Sequence, residues 1–353
     1  MIPHSRPFMH PDDARAVAEI VAGGMLVGGG KTAEFERALA GYIGLPHAAA
    51  VSSGTAALYL ALRAIGVGIG DSVVIPAYVC TALLHAVVLT GAKPSLADTG
   101  GDSIHMDSAT VRRALSARTK AVVFPHLFGA ACDIGDIIAL GLPVIEDCAM
   151  SLGAEREGVR AGNFGSVAAF FSCYATKVIA AGEGGMVCSS DGALVERVRD
   201  LSDYADKLDG ILRFNFTMTD IAAALGLSQL GRLPSMITRR RELASRYSTA
   251  FSDSGLDLPA EKPGERHIFY RYVVRSGRTD VLRTSLRERG IMAERPVAAP
   301  LSRVPGMTVD CPGAERAWER SLSLPLYPSL TDAEAETVIQ AVRECSLSPG
   351  SAR

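Results

Sequence analysis

The sequence predicts an α/β protein: a three-layer α/β/α large domain around a mainly parallel seven-stranded sheet, followed by a small α+β C-terminal domain. Two observations carry this. From Ala49 to about Ser190 the chain repeats one grammar, a short β-branched strand, a turn and a helical period, as parallel sheets covered by helices do. Beyond Asp220 the grammar changes to long helix, IAAALGLSQL from Ile221 to Leu230 with a charged continuation through Tyr247. At 353 residues, 48% hydrophobic and 21% charged, the chain has a globular composition and the length for a second, smaller domain.

The strands are placed at Ala49 to Ser52, Ser72 to Pro76, Lys93 to Ala97, Ala121 to Pro125, Pro143 to Glu146, Ala168 to Ser172 and Gly185 to Ser189. Helices fall between them at Thr32 to Ile43, with an acidic first turn, at Thr55 to Ile65 and at Ser108 to Leu115. Val73 to Ala92 is apolar enough to mimic a membrane span. Pro76, Thr81 and His85 interrupt it and its start is β-branched, so it reads as a strand and then a buried helix. A hinge near residue 235 separates a large domain (14–235) from a small one (236–346). The small one holds a strand at Ile268 to Val274, a helix at Leu282 to Arg289 and a last helix from Thr331, with Asp332 and Glu334 in its first turn. Residues 1–13 pack with the small domain, and 347–353 form a loose tail.

Charge and cysteines narrow the function. With 36 Lys and Arg against 38 Asp and Glu, the formal charge is −2, so no broad basic field exists to collect nucleic acid or anionic lipid. The run Arg239, Arg240, Arg241 is followed at once by Glu242 and reads as a solvated helix face. Seven cysteines are scattered without a C-x-x-C pair, against both a zinc site and a disulfide framework; no metal is expected. Reduced thiols and a proline-interrupted amino terminus without an apolar core point to the cytoplasm.

Three segments can carry chemistry. Ser52-Ser53-Gly54-Thr55-Ala56-Ala57 closes a strand and opens an Ala/Leu-rich helix, where free N–H groups and the helix dipole favour a phosphate; taken alone, a plain N-cap is the commoner reason for Ser and Thr there. Glu146-Asp147 ends a buried strand, at the sheet edge where α/β folds place ligands, and one carboxylate there can hold a cationic ring nitrogen protonated; an acid capping the next helix is the other reading. Lys177, framed by FFSCYAT and the Gly182-Glu183-Gly184-Gly185 turn, suits a desolvated amine that attacks aldehydes, although most lysines only solvate a surface. The three together, in order and placed where successive strands could bring them to one sheet edge, are far more specific than any one of them, and they describe a pyridoxal phosphate (PLP) site.

The chain also resembles the sugar aminotransferase family of fold type I PLP enzymes, the DegT/StrS type, from end to end. The resemblance rests on GMLVGGGKTAEFE at Gly24, SSGTAAL at Ser52, DSVVIPAY at Asp71, TKAVVFPHLFG at Thr119, VIEDCAMSLGA at Val144, FSCYATKVIAAGEGGMV at Phe171, FNFTMTDIAAALGLSQL at Phe214 and SLSLPLYPSLTDAE at Ser321. It implies Lys177 as the Schiff-base lysine and proton shuttle, Asp147 as the partner of the pyridine nitrogen, and Ala149 packed on the ring. Ser53, Gly54, Thr55 and Ser172 would hold the phosphate. Asn215 would reach the phosphate in a neighbouring subunit, which implies a homodimer with a shared active site.

Some positions depart from the family pattern. Met150 stands at a cofactor contact where many members carry glutamine, and Cys80 at the ring-stacking aromatic, with Tyr78 aromatic two positions earlier. Thr217, Pro296, Val297 and Ser302 replace an arginine, a histidine, a tyrosine and a histidine. A branch of the family that dehydrates keto sugars has histidine in place of the lysine, so Lys177 favours amino transfer. The implied reaction moves an amino group from an L-amino acid, glutamate, to a keto group of a nucleotide-linked deoxy sugar. The alternatives are the same transfer to an aminocyclitol or other small ketone of secondary metabolism, and a PLP-binding sensor without turnover.

Overall fold

Seven β-branched or apolar segments form one sheet in the computed structural model, which describes residues 1–347, the last two by backbone alone. They are β1 (His47–Val51), β2 (Ser72–Pro76), β3 (Lys93–Ala97), β4 (Thr119–Pro125) and β5 (Val144–Asp147); then, after a two-residue hairpin of β6 (Glu155–Arg156) and β7 (Val159–Arg160), β8 (Ala168–Ser172) and β9 (Gly185–Ser189). The order across the sheet is β1-β9-β8-β5-β4-β2-β3. Strands β8, β5, β4, β2 and β3 run parallel, and β9 runs antiparallel to both its neighbours. The expected fold class is the observed one, with strand limits met within two residues.

Helices cover both faces: α1 (Pro11–Gly23), α2 (Gly30–Ile43), α3 (Gly54–Ala64), α4 (Thr81–Leu89), α5 (Ser108–Ala114), the single turn α6 (Gly135–Ile138), α7 (Gly192–Ser202) and α8 (Asp220–Ala250). Because α2 begins at Gly30, Glu34 lies beyond its first turn, which contains no acidic residue. The missing carboxylate comes from α8 instead. Asp220 Oδ1 accepts the N–H of Gly29 (2.8 Å) and of Thr32 (2.9 Å) and the Thr32 hydroxyl (2.7 Å).

Helix α8 runs unbroken for 31 residues, about 46 Å, through the position where the hinge was expected. Its core partners change along its length. Leu230, Leu233, Met236 and Ile237 pack with the sheet side. Leu243, Ala244 and Tyr247 pack with β11 (Tyr272–Arg275), α9 (Thr279–Glu288), β12 (Ser321–Leu324) and α11 (Asp332–Leu347). That exchange fits the proposed division at 235. Residues 1–13, expected to pack with the small domain, are divided: Ile2 hydrogen-bonds Gly290 and Met292 and is buried in the second core, whereas Phe8 and Asp13 pack on α8 before 235, where Gln229 bonds both. Before β11, Glu265–Arg266 forms β10 against β6, and α10 (Pro312–Arg320) precedes β12.

The strand expected over Ile268 to Val274 is corrected: extended structure starts only at Tyr272. Phe269 adopts φ 48°, which breaks the strand, while Ile268 and Arg271 hydrogen-bond to Gly129 and Phe128. The loose tail lies outside the described residues, apart from Leu347, which ends α11. Among the described residues no helix is long and apolar enough to cross a membrane.

Candidate active site

The carboxyl ends of parallel strands meet here. Strand β5 ends on Asp147, β8 on Ser172 just ahead of Lys177, and β2 on Pro76 ahead of Cys80. With the start of α3 they enclose a cavity of about 210 Å3 lined by Ser53, Gly54, Thr55, Cys80, Asp147, Ala149, Ser172 and Lys177, with Leu58 and Phe170 as apolar wall. Met150 and Asn215 do not line it. Met150 is packed between the cores on the two faces of the sheet. Asn215 is exposed, with its Oδ1 accepting the Thr217 hydroxyl at 3.1 Å. Tyr78 is fully buried against Phe128 (ring centroids 6.4 Å), so Cys80 is the residue of that pair that reaches the cavity.

The helix start is both a cap and a cradle. Ser53 caps α3, its hydroxyl accepting the Ala56 N–H at 3.1 Å, and the N–H groups of Gly54 and Thr55 have no acceptor within the helix. Close approach requires the glycines. A Cβ on Gly54 would stand 2.9 Å from Ser172 Cβ, and one on Gly185 would stand 2.2 Å from the Ser53 carbonyl oxygen. Without side chains at these positions, the start of β9 and the end of β8 press the α3 terminus into the cavity wall.

Asp147 is 6% exposed, and one of its oxygens accepts the Ala149 N–H at 2.9 Å. Burial holds its carboxyl above the ordinary carboxylate value, even though the Ala149 N–H and the charge of Lys177 pull it down. A buried carboxyl short of a cation fits a protonated ring nitrogen, and the glycine-lined helix start fits a phosphate; the residues present therefore suit PLP. Lys177 makes no ion pair among the described residues, and its Nζ lies 5.6 Å from the centroid of the Tyr270 ring.

Tyr270 was missed from sequence. It is 3% exposed; burial pushes its phenol up, but the charges of Arg271, Lys177 and Arg240 bring it below its ordinary value. Also missed was the support behind Asp147. His126 Nδ1 accepts the Cys132 N–H (3.2 Å), so its proton sits on Nε2 and is donated to Glu146 (3.0 Å). Glu146 also accepts from the N–H groups of Gly162 (2.8 Å) and Phe164 (3.1 Å) and from the Ser166 hydroxyl (2.6 Å). His126, Glu146 and Cys148 lie within 4.8 Å of one another. Since both imidazole nitrogens and both carboxylate oxygens are engaged, the cluster is a hydrogen-bonded lock that fixes the loop over 162–166 beside β5.

The model of the DegT/DnrJ/EryC1/StrS aminotransferase family matches residues 7–343. Spore coat polysaccharide biosynthesis protein SpsC of Bacillus subtilis (strain 168) is 35% identical, over 97% of this chain and 96% of its own. GDP-perosamine synthase of Caulobacter vibrioides is 35% identical, over 88% of each chain. Among solved structures, Spr1654 of Streptococcus pneumoniae in its PLP form matches with a TM-score of 0.92 at 26% identity, over 98% of both chains. With a family match across nearly its whole length, this chain belongs to the DegT/DnrJ/EryC1/StrS family and is an aminotransferase.

Proposed function

We propose that the protein is a cytoplasmic, homodimeric PLP enzyme that transfers an amino group from L-glutamate to a keto group of a nucleotide-linked deoxy sugar. The observation that carries this is the convergence of Lys177, Asp147 and the α3 terminus on one cavity. The relative named GDP-perosamine synthase supports the sugar nucleotide, and the Spr1654 structure in PLP form supports the cofactor. Bound here, PLP supplies an electron sink for a carbanion.

The chain's own residues do the rest. Asp147 holds the ring nitrogen protonated, and Ala149 packs on the ring. The N–H groups of Gly54 and Thr55, with Ser53 and the Ser172 hydroxyl, hold the phosphate. Cys80 lines the same cavity without the bulk of an aromatic side chain. Lys177 Nζ would hold the cofactor through its aldehyde carbon and, once the donor's amine has displaced it, would be the free base that moves the proton at the donor's α carbon. Asn215, outside its own chain's cavity, reaches the site of a second copy.

Replacing Lys177 with Ala removes the protein-bound visible absorbance and the turnover together; normal turnover in that variant overturns the assignment. Glutamate should bleach the visible band of the wild type. A spectrum unmoved by every amino acid would instead support a binding role without catalysis. Half-reactions of the aminated enzyme with a nucleotide-linked keto sugar and with an aminocyclitol ketone separate the two substrate classes.

A further inference from the structure

A second cavity, of about 240 Å3, opens between the loops over 102–105 and 127–132 and the segment over 257–275. It shares no lining residue with the cavity around Lys177. On one side it runs into a shallow groove where Arg275, Arg316 and Arg320 converge, with Asp102, Ser103 and Arg275 lining both.

Two imidazoles line the cavity, one buried and one half-buried, and each offers a ring N–H without a protein acceptor among the described residues. His267 is 7% exposed, and its Nδ1 accepts the Phe269 N–H at 2.9 Å, so the ring proton sits on Nε2. That N–H has no hydrogen-bond acceptor among the described residues. His105 Nε2 accepts the Leu127 N–H at 3.3 Å, which leaves Nδ1–H as its donor. Burial pushes His105 down to about 3 and His267 down to about 4, so both rings are neutral donors at pH 7. Donors that open into a cavity without a protein acceptor are free to be met by a ligand's acceptors.

Charge in the cavity and groove is in excess on the positive side. Lys262, Arg271 and Arg316 have no carboxylate partner among the described residues. Asp257 is divided between Arg320 (3.1 Å) and Arg275 (3.9 Å). Glu265 is occupied by the N–H groups of Ala131 (2.8 Å) and Lys262 (3.0 Å). Asp102 is the opposing carboxylate. The remaining wall is apolar: Leu127, Phe128, Leu258 and Val273.

We propose that this cavity and its groove bind a nucleoside phosphate, with the planar ring between the apolar wall and the imidazole N–H groups of His105 and His267, and the phosphate at Arg275, Arg316 and Arg320. A bare phosphate would leave the apolar wall and the imidazole donors unused, and an uncharged apolar molecule would leave the arginines unused. Base carbonyls and ring nitrogens supply the acceptors, and an arginine fork matches phosphate oxygens in pairs. The segment over 267–271 carries His267 and Arg271 into this cavity and Tyr270 toward Lys177, so it lies between the two sites.

The test is calorimetric titration of the holoenzyme with AMP, GMP, UMP and inorganic phosphate. At least one nucleotide should bind at one per protomer and at least tenfold more tightly than inorganic phosphate. Arg316→Glu, at an exposed position, should weaken that binding tenfold or more and leave basal turnover unchanged. Ala260→Trp, also exposed and lining the cavity, should block binding by bulk. Lys177→Ala should not change nucleotide affinity, which keeps this site separate from the one assigned to catalysis. Affinity no better than phosphate for every nucleotide, or wild-type affinity in Arg316→Glu and Ala260→Trp, overturns the proposal.

Discussion

Asp147 carries an electrostatic cost that only a cation in the cavity offsets. Its raised carboxyl value means that the folded, cofactor-free state binds its proton more tightly than the unfolded chain does. This group's contribution to stability therefore falls as pH rises from the ordinary carboxylate value through the higher folded one. Asp147→Asn keeps the shape and removes the charge. We expect it to cost at least about a hundredfold in kcat, about 2.7 kcal/mol, while the cofactor-free variant melts at or above the wild-type temperature near pH 7. Steady-state kinetics and thermal melts of the apoprotein check the two halves, and a fall in apoprotein stability counts against the electrostatic account. That Ser53, Gly54, Thr55, Asp147 and Lys177 would share a cavity was legible in the sequence because the first four sit at a strand end or helix start and Lys177 follows the end of β8 by five residues, where local pattern locates them. Tyr270 and His126 were not, since Tyr270 meets Lys177 from far along the chain and His126 bonds Cys132 and Glu146 across a loop and a neighbouring strand, which no local period marks. Met150 fell outside the cavity because proximity to Asp147 in sequence does not decide which way a side chain turns after a strand ends.

Among the elements, α1 shows how a polar pattern conceals a structural role. His10 and Asp13 form a capping box around Pro11 at the first turn, and fully buried Asp13 then ties α1 to α8 through Arg232 (2.7 Å), Ser228 (2.7 Å) and Gln229 (2.9 Å). Burial alone would raise the Asp13 carboxyl; these bonds outweigh it and hold it below its ordinary value. The stability it contributes is thus present above the unfolded carboxylate value and lost as pH falls through the lower folded one. Asp13→Ala should cost about 3 kcal/mol, the low end for breaking a buried pair, because Arg232 stays 21% exposed and can rehydrate. Urea unfolding at pH 7 measures the loss, and a smaller gap between variant and wild type below pH 3 tests the sign. The strands were readable from their β-branched and apolar runs. Helix α1 was not, since prolines and paired aspartates look like a loop until Pro11 is seen at a helix start. The break at Phe269 was equally invisible, because aromatic residues rarely take positive φ and only packing against Phe128 and Gly129 imposes it.

At the scale of the whole molecule, Asn215 is the residue that one chain alone leaves idle. If its place is in the site of a second copy, a mixture of Lys177→Ala and Asn215→Ala chains, each inactive by itself, should recover about a quarter of wild-type activity. Half of randomly paired dimers would be hybrids, each with one intact site. Activity assays after refolding the mixed chains measure this, and no recovery places Asn215 in its own chain's chemistry. The sheet order has a further consequence, for synthesis. Strand β1 is the first made, yet its only strand neighbour in the sheet among the described residues is β9, which leaves the ribosome about 140 residues later, roughly 7–30 s at ~5–20 residues per second. Through that interval a nascent chain carries an unpaired apolar edge and lacks the Gly185 backbone that seats Ser53. Closure of the proposed phosphate cradle is therefore a late event in the life of the chain, because the α3 terminus is seated against Gly185 only once β9 has been made.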